Sequence, residues 1–491
     1  MRQLLLIVIS FIALSVHAHQ VNEPMTIADA AKLGLKVVVI TTVDEEEPTV
    51  EKVYAPVGCM GTGATNATKV PGRIQIFAPT DSETPIYDSG EYKEDKSGMT
   101  IKIRGNSTAN FLSTRKPYKI KLQKKADLLS RTTECKDKEW GLLTTLAEDD
   151  YAITNTLGFG VSDIVGQPWT PAMENVTVLF NGKFRGLYTL VELVKKSSDR
   201  IDVADDGYIA EIDPYWWNEP VSVKTMVYAP YTSPYQITFK YPDSDDITQA
   251  QIDVMQGVMD RLDSAIVNPI DGNDYSKHIN LDSWARWLLI HQILGDGDAA
   301  GSNQYFYRHD CTADTLLNMG PVWDFDAILR YDVTQLQPTI YYHYFREMLL
   351  DSPSRALGRK MQEIYAAESE DIFSRINTFL DSLTTAKAYE GADMTLAEAV
   401  DNVTNLMTGD AGFSCYPTLT TIENARAYFQ TRKTSLDVRL HDLPSEDIIS
   451  GVNTIAEDAA LQVKPLKRFS KQGIEIQYGT RTYNIIGQRK Y

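Results

Sequence analysis

The hydrophobic and polar positions along this chain keep a period of two over much of its first half. Residues 35–42 (LKVVVITT) form a β-branched run, 73–77 a short alternating one, and 99–104 (MTIKIR) and 117–122 (PYKIKL) alternate on either side of a polar loop at 105–114. Such stretches predict half-buried strands, the last two a hairpin. Residues 58–72, rich in Gly, Thr, Ala and Pro, predict a loop. From Val176, VTVLF-NG-KFRGLYTLVEL predicts the sharpest hairpin, because Asn181-Gly182 is a favoured pair for a two-residue type I′ turn. Residues 208–212 and 237–241 add two strands.

The period then lengthens. Residues 146–165 have helical character and stop at Gly166-Gln167-Pro168, while 248–267 are amphipathic. Leu281–Leu294 (LDSWARWLLIHQIL) carries Trp284, Trp287, Leu288 and Ile293 at helical spacing, which predicts a buried helix feeding a polar loop at Gly295. From 342 to 440 the pattern is mostly helical, and near the end 474–478 and 483–486 flank Gly479 as a hairpin. A β-rich half precedes a helical half: an α+β chain.

Between the halves, residues 291–326 (HQILGDGDAAGSNQYFYRHDCTADTLLNMGPVWDFD) interleave carboxylates with glycines. Gln304–Arg308 predicts a short aromatic strand and 316–322 its returning partner, delivering Asp324 at a strand end. Asp298 and Asn303 stand five residues apart, so three oxygen-bearing side chains can converge. Phosphoryl transfer needs a carboxylate to orient or deprotonate an acceptor hydroxyl, and an Asn with another Asp to hold magnesium against nucleotide phosphates. The D-x-x-x-x-N followed by D-F-x fits that need, with two departures from ordinary protein kinases: Asp296 stands where His would, and Asp326 replaces the glycine after Asp324-Phe325. Two other readings use the same residues. Gly, Asp, Asn and Ser make turns and calcium-binding loops, and Asp296-Gly297-Asp298 is the kind of acidic pair that holds metal in a nucleotide-sugar glycosyltransferase. On 117–122, Tyr118, Ile120 and Leu122 share one face and Lys119 and Lys121 the other; these lysines either meet phosphates in a cleft or decorate a solvated face.

Charge and termini narrow the choice. A net charge of −18 argues against nucleic-acid binding, which needs clustered Lys and Arg. Arg2, an apolar run over residues 4–16 and Val16-His17-Ala18 predict a secretory signal at 1–18, with the exported chain starting near His19. No cysteine follows to take a lipid, and no later apolar run predicts a transmembrane segment. The expected location is secreted, periplasmic or cell-surface. Export permits disulfides among Cys59, Cys135, Cys311 and Cys415, with three pairings open; their spacing gives no zinc motif. The last 28 residues carry seven basic side chains against one acidic, a basic tail on an acidic body.

Three segments, IKIRGNST…RKPYKIKL, PWTPAMENVTVLFNGKFRGLYTLVELV and NQYFYRHD…MGPVWDFD, resemble successive signatures of the CotH (spore-coat protein H) kinase family, in that family's order. The resemblance spans roughly residues 35 to 340, with helical continuation to about 440. It implies an atypical protein-kinase-like two-lobed fold, with a β-rich N-lobe and a helical C-lobe. A core at 96–340 would follow a β-rich extension at 19–95 and precede a helical continuation at 341–445 and the tail at 446–491. It also implies transfer of phosphate from ATP, with Mg2+ or Mn2+, to Ser or Thr hydroxyls of a protein substrate that the sequence does not identify. Carried over by position, Asp298 is the catalytic carboxylate, and Asn303 and Asp324 are metal ligands. Lys119 contacts phosphate, with Lys116, Lys121 and Arg104 as alternatives, and Trp323 stacks on adenine or is core. No G-x-G-x-x-G loop is present; Arg104-Gly105-Asn106-Ser107 is the candidate substitute. A reading from another class is a non-catalytic adhesion or carbohydrate-contacting protein on a kinase-like scaffold, for which Trp216-Trp217 offers a stacking platform.

Overall fold

A computed structural model describes residues 20–445 apart from 60–61, 66, 112–113, 132–134, 145–151, 226–234, 268–273, 300–302, 312–315, 331, 338–342, 353, 411–412 and 414–415. Beyond 445 it describes the strand backbones at 466–470, 473–478, 481–484 and 489–490. The predicted signal segment and Cys415 lie outside the described residues.

The alternating segments close on themselves. Strands β1 (Val37–Thr42), β4 (Val70–Phe77), β6 (Met99–Ile103), β7 (Tyr118–Ala126), β8 (Asp137–Leu143), β9 (Met173–Phe180) and β10 (Lys183–Glu192) pair in the order β1-β9-β10-β8-β7-β6-β4, and β4 returns to β1. Seven strands thus make a barrel, with β5 (Tyr87–Asp88) on the outside of β4. All pairs are antiparallel except β1 with β9. Closure removes the exposed edges that an open sheet of this width would leave. Val38, Ile40, Ile74, Ile101, Ile120 and Trp140 are among the side chains filling the interior.

The outer face differs around the barrel. On β6 and β7 the outward positions, Lys102, Lys119 and Lys121, stay partly or fully exposed, so the alternation is visible. On β1, β9 and β10 the outer face is buried as well, with Val37, Val39, Leu179, Leu187 and Val191 joining the core of the helical half. The β9–β10 turn uses Asn181 (φ 48°) and Gly182 (φ 72°), as the Asn-Gly pair predicts.

Strands β1 and β4, assigned from sequence to an extension at 19–95, are structural members of this barrel, so the sheet does not divide at residue 96. Within the loop expected at 58–72, β3 (Thr62–Thr65) pairs with β2 (Glu51–Tyr54). The loop expected at 105–114 contains a short helix, Ser107–Phe111. Strand β8 was not foreseen; DKEWGLL mixes charge with apolar residues because its inward residues fill the barrel while Glu139 faces lysines.

The rest is mainly helical: α1 (Thr154–Val165), α2 (Gln249–Val267), α3 (Leu281–Leu294), α4 (Ala356–Thr385), α5 (Leu396–Asn405) and α6 (Thr418–Arg439). Between α1 and α4 sits a second antiparallel sheet, ordered β12 (Gln236–Tyr241), β11 (Tyr208–Asp213), β13 (Gln304–Arg308), β14 (Asn318–Met319). Of the strand expected at 316–322, Asn318–Met319 pairs with β13, and Leu317 bridges instead to Ile279. The tail forms a four-stranded antiparallel sheet, β15 (Leu466–Ser470), β16 (Gly473–Tyr478), β17 (Arg481–Asn484) and β18 (Arg489–Lys490), instead of a single hairpin. No described helix is long and apolar enough to cross a membrane. Cys59 and Cys311 are free thiols, so the expected pairing of all four cysteines is not what the fold holds.

Candidate functional site

Helix α3 builds the base of the acidic stretch. Asn280 caps its start by accepting from the backbone of Asp282 at 3.2 Å, and Trp284 and Trp287 are fully buried. It stops at Gly295, whose φ of 64° satisfies a left-handed C-cap. A β-carbon there would lie 1.8 Å from the Tyr428 hydroxyl on α6, so both backbone and neighbour favour glycine. The cap folds the chain back so that the Asp296 amide donates to the His291 carbonyl at 3.0 Å. The Asp296 carboxylate, fully buried, then accepts from His291 Nδ1 at 2.9 Å and from the Asp298 amide at 3.0 Å.

Asp298 itself reaches solvent. Its carboxyl is nonetheless pushed up to about 7, first by partial burial against the walls around it, then by the like charges of Asp326 and Asp296, with Arg330 opposing. Asp326 was read from sequence only as the replacement for a glycine; the fold brings it to Asp298. The Asp296-Gly297-Asp298 pair does not act as two outward ligands, because both Asp296 oxygens are engaged inward.

Asp324 is exposed between two buried aromatics, Trp323 and Phe325, on a backbone at φ 66°. Phe325 packs edge-on to Phe159 at 4.9 Å and lies where a β-carbon on Gly158 would come within 2.1 Å, so α1 holds the turn from below. Anchoring both neighbours inward turns the Asp324 carboxylate out. Asn303, half exposed, is also left-handed at φ 58°. Asn and Asp are the non-glycine residues that tolerate this region best.

Trp323 does not offer a face to adenine. It is 5% exposed, meets Phe159 edge-on at 5.9 Å, and carries the Arg104 guanidinium over its ring at 5.5 Å. The stacking role is corrected to that of a core residue holding Arg104. Lys119 pairs with Glu139 at 3.0 Å. In register opposite it stands Lys102, whose pKa is lowered by burial first and by Lys119 next. Lys116 donates to the Ala109 carbonyl at 2.5 Å, and Lys121 is exposed.

The second sheet adds groups that sequence reading missed. Glu211 and Asp213 share one face of β11; Glu211 pairs with Lys240 at 2.6 Å, while Asp213, pushed up to about 7 by burial and then by Glu211, accepts from the Tyr215 amide and the Thr238 hydroxyl. The signal was two acids at i and i+2 in a strand otherwise apolar. A cleft of about 650 Å3, within the range of small-molecule sites, runs beside β12 and is lined by Glu139, Lys195, Lys196, Lys240 and Tyr241 among others. Asp298 and Asp324 are not among its lining residues. The Lys240–Glu211 pair extends from this cleft to Tyr305, which is hydrogen-bonded to Glu211.

The family described as CotH kinase protein matches residues 101–404, which takes in β7, the acidic loop and Asp324. The chain belongs to the CotH kinase family. A comparison with curated proteins finds no match. Among solved structures, the "Crystal structure of A Helicobacter pylori proinflammatory kinase CtkA" shares 11% identity, covering 65% of this chain and 95% of that one at a TM-score of 0.24. That likeness is too weak to transfer any detail. A mixed α+β, kinase-like protein whose β part is a closed barrel is what this member of the family presents.

Among the described residues no group of three or more His, Cys, Asp or Glu comes together as a metal cage. Magnesium is commonly held by one or two side chains together with substrate phosphates and water. Asp324 and Asn303 supply that kind of oxygen donor, and the carboxylate crowding around Asp298 favours a nearby cation.

Proposed function

We propose that this chain is an exported atypical protein kinase of two-lobed design, transferring the ATP γ-phosphate to Ser or Thr hydroxyls of a protein substrate. The observation that carries the reading is Asp298: an open carboxylate on a braced loop, raised to about 7, where a general base for a hydroxyl is best poised. Asp298 orients the acceptor hydroxyl and takes its proton. Asn303 and Asp324 hold the metal, Lys119 with Lys102 beside it faces phosphate, and Arg104, fixed on Trp323, adds a second cation. Bound with ATP, Mg2+ would supply positive charge beside the phosphate oxygens. The apolar run at 4–16 followed by Val-His-Ala supports export.

Calorimetric titration with MgATP and transfer of labelled γ-phosphate to the protein itself, or to basic and Ser-rich proteins, test the reading. Asp324→Asn should weaken MgATP binding by about tenfold or more, because an anionic ligand is lost. Wild-type protein that neither binds MgATP nor transfers phosphate, with manganese substituted as well, would sink the kinase reading and promote the adhesion alternative. Export is tested by N-terminal sequencing of the protein recovered outside the cytoplasm, which should start near His19.

A further inference from the structure

We infer that His291 and Asp296 are a buried positioning couple that aims Asp298. The inference rests on Asp298 being the acceptor-side carboxylate. Its physical basis is a relay of two hydrogen bonds beneath an exposed loop. A carboxylate accepts only, so His291 donates from Nδ1 to one Asp296 oxygen at 2.9 Å, and the other oxygen receives the Asp298 amide at 3.0 Å. Both side chains are fully buried. The imidazole lies against the Trp287 ring with centroids 4.1 Å apart, and its buried Nε2 meets no hydrogen-bond partner among the described residues. The Nδ1 contact to Asp296 is thus the polar contact that the described residues give this buried ring.

The couple sits where both halves of the site meet. The Gly295 cap returns the Asp296 amide to His291, and the Leu329 amide, at the end of the turn carrying Asp326, donates to the Leu294 carbonyl at 2.9 Å. From the other side, Arg432 of α6, itself fully buried, donates from Nε to the Gln292 carbonyl at 2.7 Å. These contacts hold the end of α3 in place, and the Asp296 carboxylate joins that end to the Asp298 backbone. Because a misplacement of about 1 Å can cost on the order of 10²-fold in rate, a charge-assisted brace one residue from Gly297 is worth retaining.

The test uses the full chain and three variants: His291→Leu, which removes the donor; His291→Asn, whose side-chain amide can stand where Nδ1 stood; and Asp296→Asn, which keeps an oxygen for the Asp298 amide and remains informative if His291→Leu does not fold. Amide hydrogen exchange of the 295–299 segment is read by mass spectrometry beside MgATP affinity and turnover. In His291→Leu, exchange in that segment should rise about tenfold while α3 stays protected. Turnover should fall on the order of 10²-fold with MgATP affinity unchanged, and His291→Asn should recover most of both. Asp296→Asn should lie between wild type and His291→Leu. Unchanged loop exchange in folded His291→Leu, a similarly unchanged Asp296→Asn, or His291→Asn no better than His291→Leu overturns the inference. Should the wild type transfer no phosphate, the exchange result still decides the couple, and the missing transfer counts against the kinase reading alone.

Discussion

Two charged regions of this protein treat their carboxylates in opposite ways. On the barrel wall, Asp137 and Glu139 are each met by lysine: Lys195 lies 3.2 Å from Asp137 and 3.6 Å from Glu139, and Lys119 lies 3.0 Å from Glu139. Burial alone would raise both pKa values, and it is the largest single effect on each, yet the neighbouring cations together hold both below the ordinary carboxylate range. In the acidic loop, Asp298 has burial and two like charges against Arg330, and its carboxyl rises to about 7. On the wall, attraction to cations outweighs burial; in the loop, burial and like charges outweigh Arg330. Strongly perturbed groups cluster where chemistry is done, and this contrast picks the loop over the wall.

The contrast breaks most sharply at Asp298. Asp298→Asn keeps the shape and removes the base, so phosphate transfer should drop roughly 10²- to 10⁴-fold while MgATP affinity measured by calorimetry stays near wild type. A variant that loses affinity instead would place Asp298 among the metal ligands.

Asp326→Asn sharpens the comparison by removing one like charge. Turnover needs Asp298 ionised, so the wild-type rate should fall as pH drops below about 7, and in Asp326→Asn this acid limb should move to lower pH. The stability consequence has a definite sign. Because the folded-state pKa lies above the unfolded one, the folded state binds more protons between about 4 and 7, and stability from this group declines as pH rises through that window. Asp326→Asn should lessen that decline in denaturant titrations. An acid limb that does not move would mean the two carboxylates are not coupled.

On the wall the expected effect is smallest. Lys119→Ala removes a partly exposed ion pair, and Glu139 keeps Lys195, so stability should change by less than about 1 kcal/mol. If Lys119 faces the nucleotide, MgATP affinity should weaken several-fold at that nearly unchanged stability. Substantial unfolding with intact affinity in the folded fraction would show that its charge serves the barrel.

The sequence by itself determined the elements whose physics is local. The β-branched run at 35–42, the alternation of MTIKIR and YKIKL, and the Asn181-Gly182 turn each dictate backbone through sterics and side-chain period, and each is where the pattern put it. Helix α3 matches its predicted bounds because its cap residues, Asn280 and Gly295, are written at its ends. Three family signatures in order were likewise legible, and the family match takes in residues 101–404. What the chain could not reveal was anything settled by residues distant in sequence. Barrel closure depends on β4 meeting β1 and β6 together, which no local period encodes. Trp323 reads equally well as a stacking platform or as core until Phe159 and Arg104, more than 150 residues away, occupy its surroundings. Asp296 and Asp298 look alike in G-D-G-D; only the burial of His291 beneath them turns one inward as a brace and leaves the other outward. The raised pKa of Asp298 comes from burial first and then from Asp326, 28 residues on, because desolvation and Coulomb interaction depend on excluded water and on distance in space, and both are properties of the folded chain.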